Sequence, residues 1–231
     1  MGCDIHLYAE RRIDNVWRPA DRWERNEYAG EEGEPELAVP REARFYRGRS
    51  YDLFGILANV RNGRGFAGVK TGEGFVPISE PKGLPHDVTL PVKTDSDRWD
   101  TDGHSHSWLT LHELLQYDWT QETRLRGVLE AVDFWSWDNW SRKSGESPRA
   151  WCAGIDGPDV RVVLEDEMRE ILSPLGHDRN RIAKELGNVF VRCEWPVAYF
   201  RCAASFLSET IPRLLRLGEP KDVRIVFWFD N

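Results

Sequence analysis

The sequence predicts an α+β fold with a mostly antiparallel central sheet, and three observations support this prediction. Residues 3–12 alternate with a period of two, as in a strand with one apolar and one polar face. The run Val223–Phe229 is apolar, β-branched and aromatic, which is typical of a buried strand. Helix signals fill the chain between them. Because strands at both ends of a chain commonly pair in one sheet, we expect these two to pair, with helices packed on one face.

The elements between the terminal strands are predicted from turn, cap and periodicity signals. Asp14-Asn15 predicts a hairpin into a strand at Val16–Trp23. Ser50, Pro91 and the Thr110/Glu113 capping box predict three helix starts. The remaining predicted elements are helices at Tyr51 to about Arg61, Val92–Trp99, about Gln121–Phe134 and Tyr199–Leu217 (bent at Pro212), strands at Val160–Leu164 and Val189–Trp195, and a helix reaching Leu172.

Composition places limits on partners and location. The chain has 231 residues and a formal net charge of -8, which argues against broad nucleic-acid binding. Neither a signal peptide nor an apolar run of about 18 residues is present, so we expect a cytoplasmic protein without a membrane partner. The four scattered cysteines indicate buried thiols. The length suits a single domain, 1–231, with residues 138–149 as the candidate boundary between two lobes.

Residues 63–86 form a long Gly- and Pro-rich stretch that we expect to be an ordered, docked loop. At its start, Arg61, Asn62 and Arg64 stand among glycines that permit close backbone approach. Two guanidinium groups are suited to holding a phosphate or carboxylate, so these three residues are candidate ligand-binding residues. The alternative is a helix stop and surface turn whose arginines pair with local acids.

Two short patterns carry metal-ligand chemistry. Asp4 and His6 are two residues apart on the first strand, so their side chains point the same way. His104 and His106 have the same spacing in a segment that we expect to be extended. Three imidazoles and a carboxylate suit zinc, or manganese or iron with added waters. The alternative is that both pairs form ordinary hydrogen bonds, since the gap between them says nothing about proximity.

Several residues are candidates for supporting roles around such a site. Glu10 and Asp102 are candidate general bases. Together with Asp100 and Asp230, they are also candidate extra ligands or hydrogen-bond partners of the ligands. The tryptophans Trp135, Trp137 and Trp140 suit either stacking on a base or sugar, or packing.

Three segments and the chain's end carry a resemblance to a known group of proteins. The opening Met-Gly-Cys-Asp-Ile-His, the run from Tyr51 through Phe66, the segment Asp102–Ser107 and the ending Phe227–Asn231 resemble a family of uncharacterised bacteriophage, prophage and bacterial proteins. The resemblance covers about the first 125 residues and the last five. It implies a mobile-element origin and action in a bacterial cytoplasm, and it brings no activity with it.

Three functional hypotheses follow from these patterns. The first is a metal-dependent hydrolase of a nucleotide-like or phosphoester small molecule. The second is a non-catalytic protein, in an oligomer, that sequesters a nucleotide or small anion and thereby counters host defence. The third is a protein–protein inhibitor or minor virion component, which would bind no small molecule.

Overall fold

The computed structural model describes residues 2–31 and 33–230 and has an α+β fold. The strands are β1 (Asp4–Ile13), β2 (Val16–Pro19), β3 (Glu24–Arg25), β4 (Leu37–Ala38), β5 (His104–Thr110), β6 (Glu122–Glu130), β7 (Arg161–Val163), β8 (Val189–Ala198) and β9 (Val223–Asp230). The α-helices are α1 (Tyr51–Ala58), α2 (Leu90–Asp97), α3 (Leu111–Gln116), α4 (Ala131–Ser136), α5 (Glu165–Leu172), α6 (Arg179–Glu185), α7 (Tyr199–Cys202) and α8 (Ile211–Leu215). In the described ranges, no helix is long and apolar enough to cross a membrane.

The chain divides into two compact units that are interleaved along the sequence. Unit 1 contains residues 1–62, 76–119 and 200–231, and unit 2 contains residues 63–75 and 120–199. The candidate boundary at 138–149 lies inside unit 2, where it begins with a π-helical turn at Trp137–Ser141 and a 3-10 turn at Arg142–Ser144. The Gly- and Pro-rich stretch 63–86 is shared between the units, and Phe75 within it is buried.

The main sheet of unit 1 has the strand order β2-β1-β9-β5, and every neighbouring pair is antiparallel. The two terminal strands pair along their length, from Asp4 opposite Asp230 to Arg11 opposite Val223. This confirms the prediction that both ends of the chain share one sheet. Because β9 lies between β1 and β5, it is covered by strands on both sides, and all of Val223–Phe229 is buried.

Helices cover both faces of this sheet rather than the single face that was expected. On one face, Phe229 packs against Phe54 of α1, with ring centroids 5.0 Å apart. On the other face, Tyr8, Val226 and Trp228 form a buried cluster with Val92 of α2. The face of β1 that alternation marked as polar is therefore largely an interior surface.

The turn and the helix caps of unit 1 were predicted correctly, but the end of helix α1 was not. The β1–β2 turn has the expected left-handed residues at Asp14 and Asn15, with φ of 50° and 61°. The cap at Ser50 and the capping box of Thr110 and Glu113 are both present. Helix α1 ends at Ala58 instead of Arg61, because Asn59 takes the left-handed conformation that closes it.

Other predicted boundaries were wrong. Strand β2 ends at Pro19, short of Trp23, since proline donates no backbone hydrogen bond to a sheet. The helix predicted at Tyr199–Leu217 is broken into α7 and α8, with a π-helical turn at Phe206–Thr210 between them. The four described cysteines are free, as predicted, but Cys152 is exposed rather than buried.

Unit 2 holds a sheet of order β6-β8-β7, in which β6 and β8 are antiparallel and β7 and β8 are parallel. The helix predicted at Gln121–Phe134 was wrong, because strand β6 fills most of it before α4 begins. Leu125, Val128 and Leu129 have the spacing of a helical stripe and also fit a buried strand, so periodicity alone misassigned the segment.

Candidate functional site

Three rings form a row across the main sheet of unit 1. Trp228 on the central strand β9 lies opposite His6 on β1, and their ring centroids are 5.5 Å apart at an interplanar angle of 14°. On the other side, His106 on β5 stacks on the same indole at 5.7 Å and 19°. Trp99, which follows α2, packs on His6 with ring centroids 4.2 Å apart. The row is thus fixed by pairing of the three strands and covered by the segment after α2.

His6 and Asp230 form a hydrogen-bonded pair at one end of this row. The distance from His6 Nε2 to Asp230 Oδ2 is 3.1 Å, and the side chains are 11% and 17% exposed. The other carboxylate oxygen, Asp230 Oδ1, accepts the backbone N–H of Asp4 at 2.9 Å. Both oxygens of Asp230 therefore have fixed partners, and the carboxylate orients the imidazole.

The electrostatics of this pair favour a neutral ring beside an ionised carboxylate. Burial lowers the pKa of His6, and the bond to Asp230 opposes this only partly. Burial also pushes the pKa of Asp230 upward, but the bonds from His6 and from the Asp4 backbone outweigh it, so that pKa is lowered. A neutral His6 that donates from Nε2 keeps its lone pair on Nδ1. Such an atom can accept a proton from a reacting group.

The second predicted pair, His104 and His106, does not share a face. Between His104 and Ser107 the register of β5 against β9 slips by one residue, and Ser105 has a φ of 52°. This β-bulge turns His104 toward Phe229, at 6.1 Å between ring centroids, while His106 lies on Trp228. Because Phe229 and Trp228 are consecutive on β9, they point to opposite faces, and so do the two imidazoles.

The four predicted metal ligands are therefore not brought together. Trp228 stands between His6 and His106, whose strands are two apart and so about 9.6 Å from each other. Nitrogens that share a zinc ion lie within about 4 Å of each other, since each Zn–N bond is about 2.0–2.1 Å. Asp4 instead pairs with Arg49, at 3.2 Å. Across residues 2–31 and 33–230, no group of three or more His, Cys, Asp or Glu is arranged to hold a metal ion.

The two candidate general bases lie apart from His6. Glu10 is fully buried and paired with Arg224 at 2.7 Å, and it also accepts the backbone N–H of Thr89 at 2.8 Å. Glu10 is four residues after His6 on β1, and at 3.3 Å per residue the two residues are about 13 Å apart. Asp102 is exposed in the turn between α2 and β5. The structure thus gives Glu10 a structural partner rather than access to a substrate.

The three candidate ligand-binding residues are engaged locally. Arg61 donates to the carbonyl of Gly2 at 3.3 Å, and its guanidinium lies 5.6 Å from the ring centroid of Tyr51. Asn62 donates to Asn59 Oδ1 at 2.8 Å. Arg64 belongs to unit 2, and its guanidinium approaches the carbonyl of Gly68 at 3.4 Å. These contacts, which include backbone carbonyls for both arginines, fit the helix-stop alternative.

Two participants were missed by sequence reasoning. Arg49 donates to the carbonyl of Cys3 at 3.0 Å and pairs with Asp4, whose backbone N–H donates to Asp230, so Arg49 is a cation close to the His6–Asp230 pair. Trp228 forms the centre of the row. Neither was visible because no spacing in the sequence links them to His6. Asp230 was found, as a candidate partner of the ligands.

The tryptophans at 135, 137 and 140 have different environments in unit 2. Trp137 is buried, Trp140 is 65% exposed, and Trp135 lies 5.8 Å from the ring of His177. They therefore present no shared stacking surface.

Comparison of the chain with protein families, with curated proteins and with solved structures gives no significant match.

Proposed function

We propose that unit 1 is a hydrolase of a phosphoester or nucleotide-like small molecule, in which His6 is the general base and Asp230 orients it. The observation that carries this proposal is the 3.1 Å bond between His6 Nε2 and Asp230 Oδ2. Because an ionised carboxylate only accepts hydrogen bonds, Nε2 must carry the ring proton in this bond. The lone pair on Nδ1 is then the basic site of the ring. Relative to the sequence hypothesis, the base moves from Glu10 or Asp102 to His6.

The proposed reaction is attack of water on the ester phosphorus. His6 Nδ1 takes a proton from the water as its oxygen bonds to phosphorus, and the carboxylate of Asp230 stabilises the imidazolium that forms. The phosphorus–oxygen bond to the leaving group then breaks, and the proton passes from Nδ1 to that oxygen. The ion pair of Arg49 with Asp4 is a weak surface pair, with side chains 48% and 56% exposed, and in this proposal Arg49 exchanges Asp4 for the anionic substrate.

Hydrolysis of a panel of substrates tests this proposal. The panel contains p-nitrophenyl phosphate, bis(p-nitrophenyl) phosphate and the common nucleoside mono- and triphosphates. We expect turnover by the natural protein, with a loss of about 10²-fold or more in His6→Gln, the range for a general base. His112→Gln is the matched control, because His112 is exposed on α3 of the same unit. Equal turnover by the natural protein and His6→Gln would overturn the assignment.

The pH profile gives a second readout of the same experiment. Since burial lowers the pKa of His6, the ring is already neutral above its ordinary value of 6.5. Activity should therefore rise with pH only below about 6.5 and stay level above it. A profile that keeps rising through pH 8 would contradict a His6 base.

A bound metal ion is a separate part of the sequence hypothesis and is tested separately. Elemental mass spectrometry on protein purified without a His-tag, beside His104→Ala/His106→Ala, measures it. Near-stoichiometric zinc, manganese or iron that disappears in the double variant would support a metal at those imidazoles, and metal content unchanged by the substitutions would exclude them as its ligands.

A non-catalytic protein that binds a small anion is the second candidate, and the half-exposed Arg49 favours it, because its weak surface ion pair with Asp4 can open for an anion. A protein that only sequesters its ligand returns it unchanged after heat denaturation, whereas a hydrolase returns product. Mass analysis of the released material distinguishes the two.

A further inference from the structure

We infer that unit 2 contains a phosphate-binding site in a small cleft beside α4, independent of the function proposed for unit 1. The cleft has a volume of about 60 Å³. Its lining is one aromatic wall, two hydroxyl groups, one carboxylate and two guanidinium groups, from Trp137, Ser136, Ser141, Asp133, Arg149 and Arg179.

The size of the cleft selects the kind of group that fits. One ordered water needs about 10–15 Å³, so the cleft has room for about four to six waters. That space suits a phosphoryl group and is too small for a nucleoside. The bulk of a larger ligand would remain outside.

The two arginines that face the cleft are available for a ligand. Among the residues that the structure describes, neither Arg149 nor Arg179 has a carboxylate within ion-pair distance, although Asp133 lines the same cleft. Other arginines of unit 2 are already ion-paired with carboxylates. Arg169, for example, binds Asp138 at 2.9 Å and Glu165 at 2.8 Å. A pair of unneutralised guanidiniums at one cleft is the arrangement that binds phosphoryl oxygens.

The aromatic wall is held rigidly. Trp137 is 3% exposed, and its indole N–H donates to the carbonyl of Glu146 at 2.7 Å. The guanidinium of Arg142 lies 4.6 Å from the ring centroid of this indole and packs on it, while its charge is paired with Asp138 and Glu165. A fixed wall lowers the ordering cost of binding, because fewer side chains must be immobilised by the ligand.

Asp133 further restricts which anions the cleft can bind. A carboxylate accepts hydrogen bonds and repels a group that carries only acceptor oxygens. Inorganic phosphate near neutral pH carries an O–H that Asp133 can accept, whereas sulfate carries none. The lining therefore predicts a preference for phosphate, or for a phosphate monoester in its protonated form, over sulfate.

Isothermal titration calorimetry at low ionic strength tests the site, with inorganic phosphate, methyl phosphate and sulfate as probes. We expect phosphate to bind more tightly than sulfate, and Arg149→Gln and Arg179→Gln each to weaken phosphate binding about tenfold or more. Arg192→Gln is the matched control, because Arg192 is an exposed arginine on β8 of the same unit.

Each outcome bears on the inference. Binding of methyl phosphate assigns the site to monoesters and binding of inorganic phosphate alone assigns it to the free ion, and both uphold a phosphate site. Asp133→Asn should reduce the preference for phosphate over sulfate. Equal affinity for phosphate and sulfate in the natural protein would overturn the phosphate assignment. Absence of binding, or binding that both arginine substitutions leave intact, would overturn the site.

Discussion

The ion pair between Glu10 and Arg224 is the most deeply buried charge contact on the main sheet, with side chains 0% and 3% exposed. Arg224 also donates to Asp87 at 2.7 Å and lies 4.0 Å from the ring centroid of Trp17. Removing one partner of such a pair leaves a buried charge uncompensated, which is strongly destabilising.

Glu10→Gln should therefore act on stability. We expect the free energy of unfolding, measured by urea denaturation, to fall by about 3 kcal/mol. Asp14→Asn in the neighbouring turn is the control and should change it little, because Asp14 is exposed. A Glu10→Gln variant of unchanged stability that lost hydrolytic activity would instead restore Glu10 as the general base.

Asp21 is a second buried carboxyl group, and it makes stability depend on pH. Burial raises its pKa to about 7, while its Oδ2 accepts the backbone N–H of Ala9 at 2.6 Å. The unfolded chain releases this proton near pH 4, but the folded protein holds it until about pH 7. The stability contributed by the protonated group is therefore lost as pH rises through this window, by at most about 1.4 kcal/mol per pH unit.

Asp21→Asn isolates this effect. The stability of the natural protein relative to the variant should decrease between pH 5 and pH 8, as measured by urea denaturation at both values. His6 and His106 act in the opposite direction below pH 6.5, because their pKa values are lowered by burial, but they are common to both proteins and cancel. A stability difference that is the same at both pH values would show that Asp21 is ionised throughout.

At the scale of elements, the bulge in β5 decides what the two histidines of that strand face. Ser105 holds it with a φ of 52°, a conformation costing a residue with a Cβ roughly 1–2 kcal/mol, and its Oγ lies 2.9 Å from His104 Nδ1. Ser105→Gly should be more stable than Ser105→Ala by about 1 kcal/mol in thermal or urea unfolding, because only glycine adopts this φ without strain. Equal stability of the two variants would mean that the bulge is absent in solution.

The elements also show where sequence reasoning succeeds. The strand β1, the turn at Asp14-Asn15 and the cap at Ser50 were predicted because their signals are local: a period of two, a turn dipeptide and a capping side chain. The bulge was not predicted, since one extra residue in a strand leaves no mark on the strand's own pattern. Strand β6 was taken for a helix because its apolar spacing fits both periods.

At the scale of the whole molecule, prediction from the sequence is limited by the pairing of strands that are distant along the chain. That β9 joins β1 could be inferred from two terminal strands, but that it also joins β5, and so inserts Trp228 between two histidines, could not. The same holds for unit 2, whose segments 63–75 and 120–199 are separated in sequence by a part of unit 1. Asp4, His6 and Asp230 were therefore identified as residue types, while their partners were not.

Hydrogen exchange tests this topology. In unit 1, the amides of β9 should exchange most slowly, because the strand is paired on both sides and Val223–Phe229 is buried. The edge strand β2, paired only with β1, should exchange faster. If β9 exchanged as fast as β2, the central position of β9 would be wrong.

The state of the His6 ring tests the central claim most directly, and ¹⁵N NMR of the histidine side chains measures it. With six histidines in the chain, His6→Gln assigns the signal. At pH 7.5 we predict a neutral ring with its proton on Nε2, and loss of that preference in Asp230→Asn. A proton on Nδ1, or a doubly protonated ring, would contradict His6 as a base oriented by Asp230.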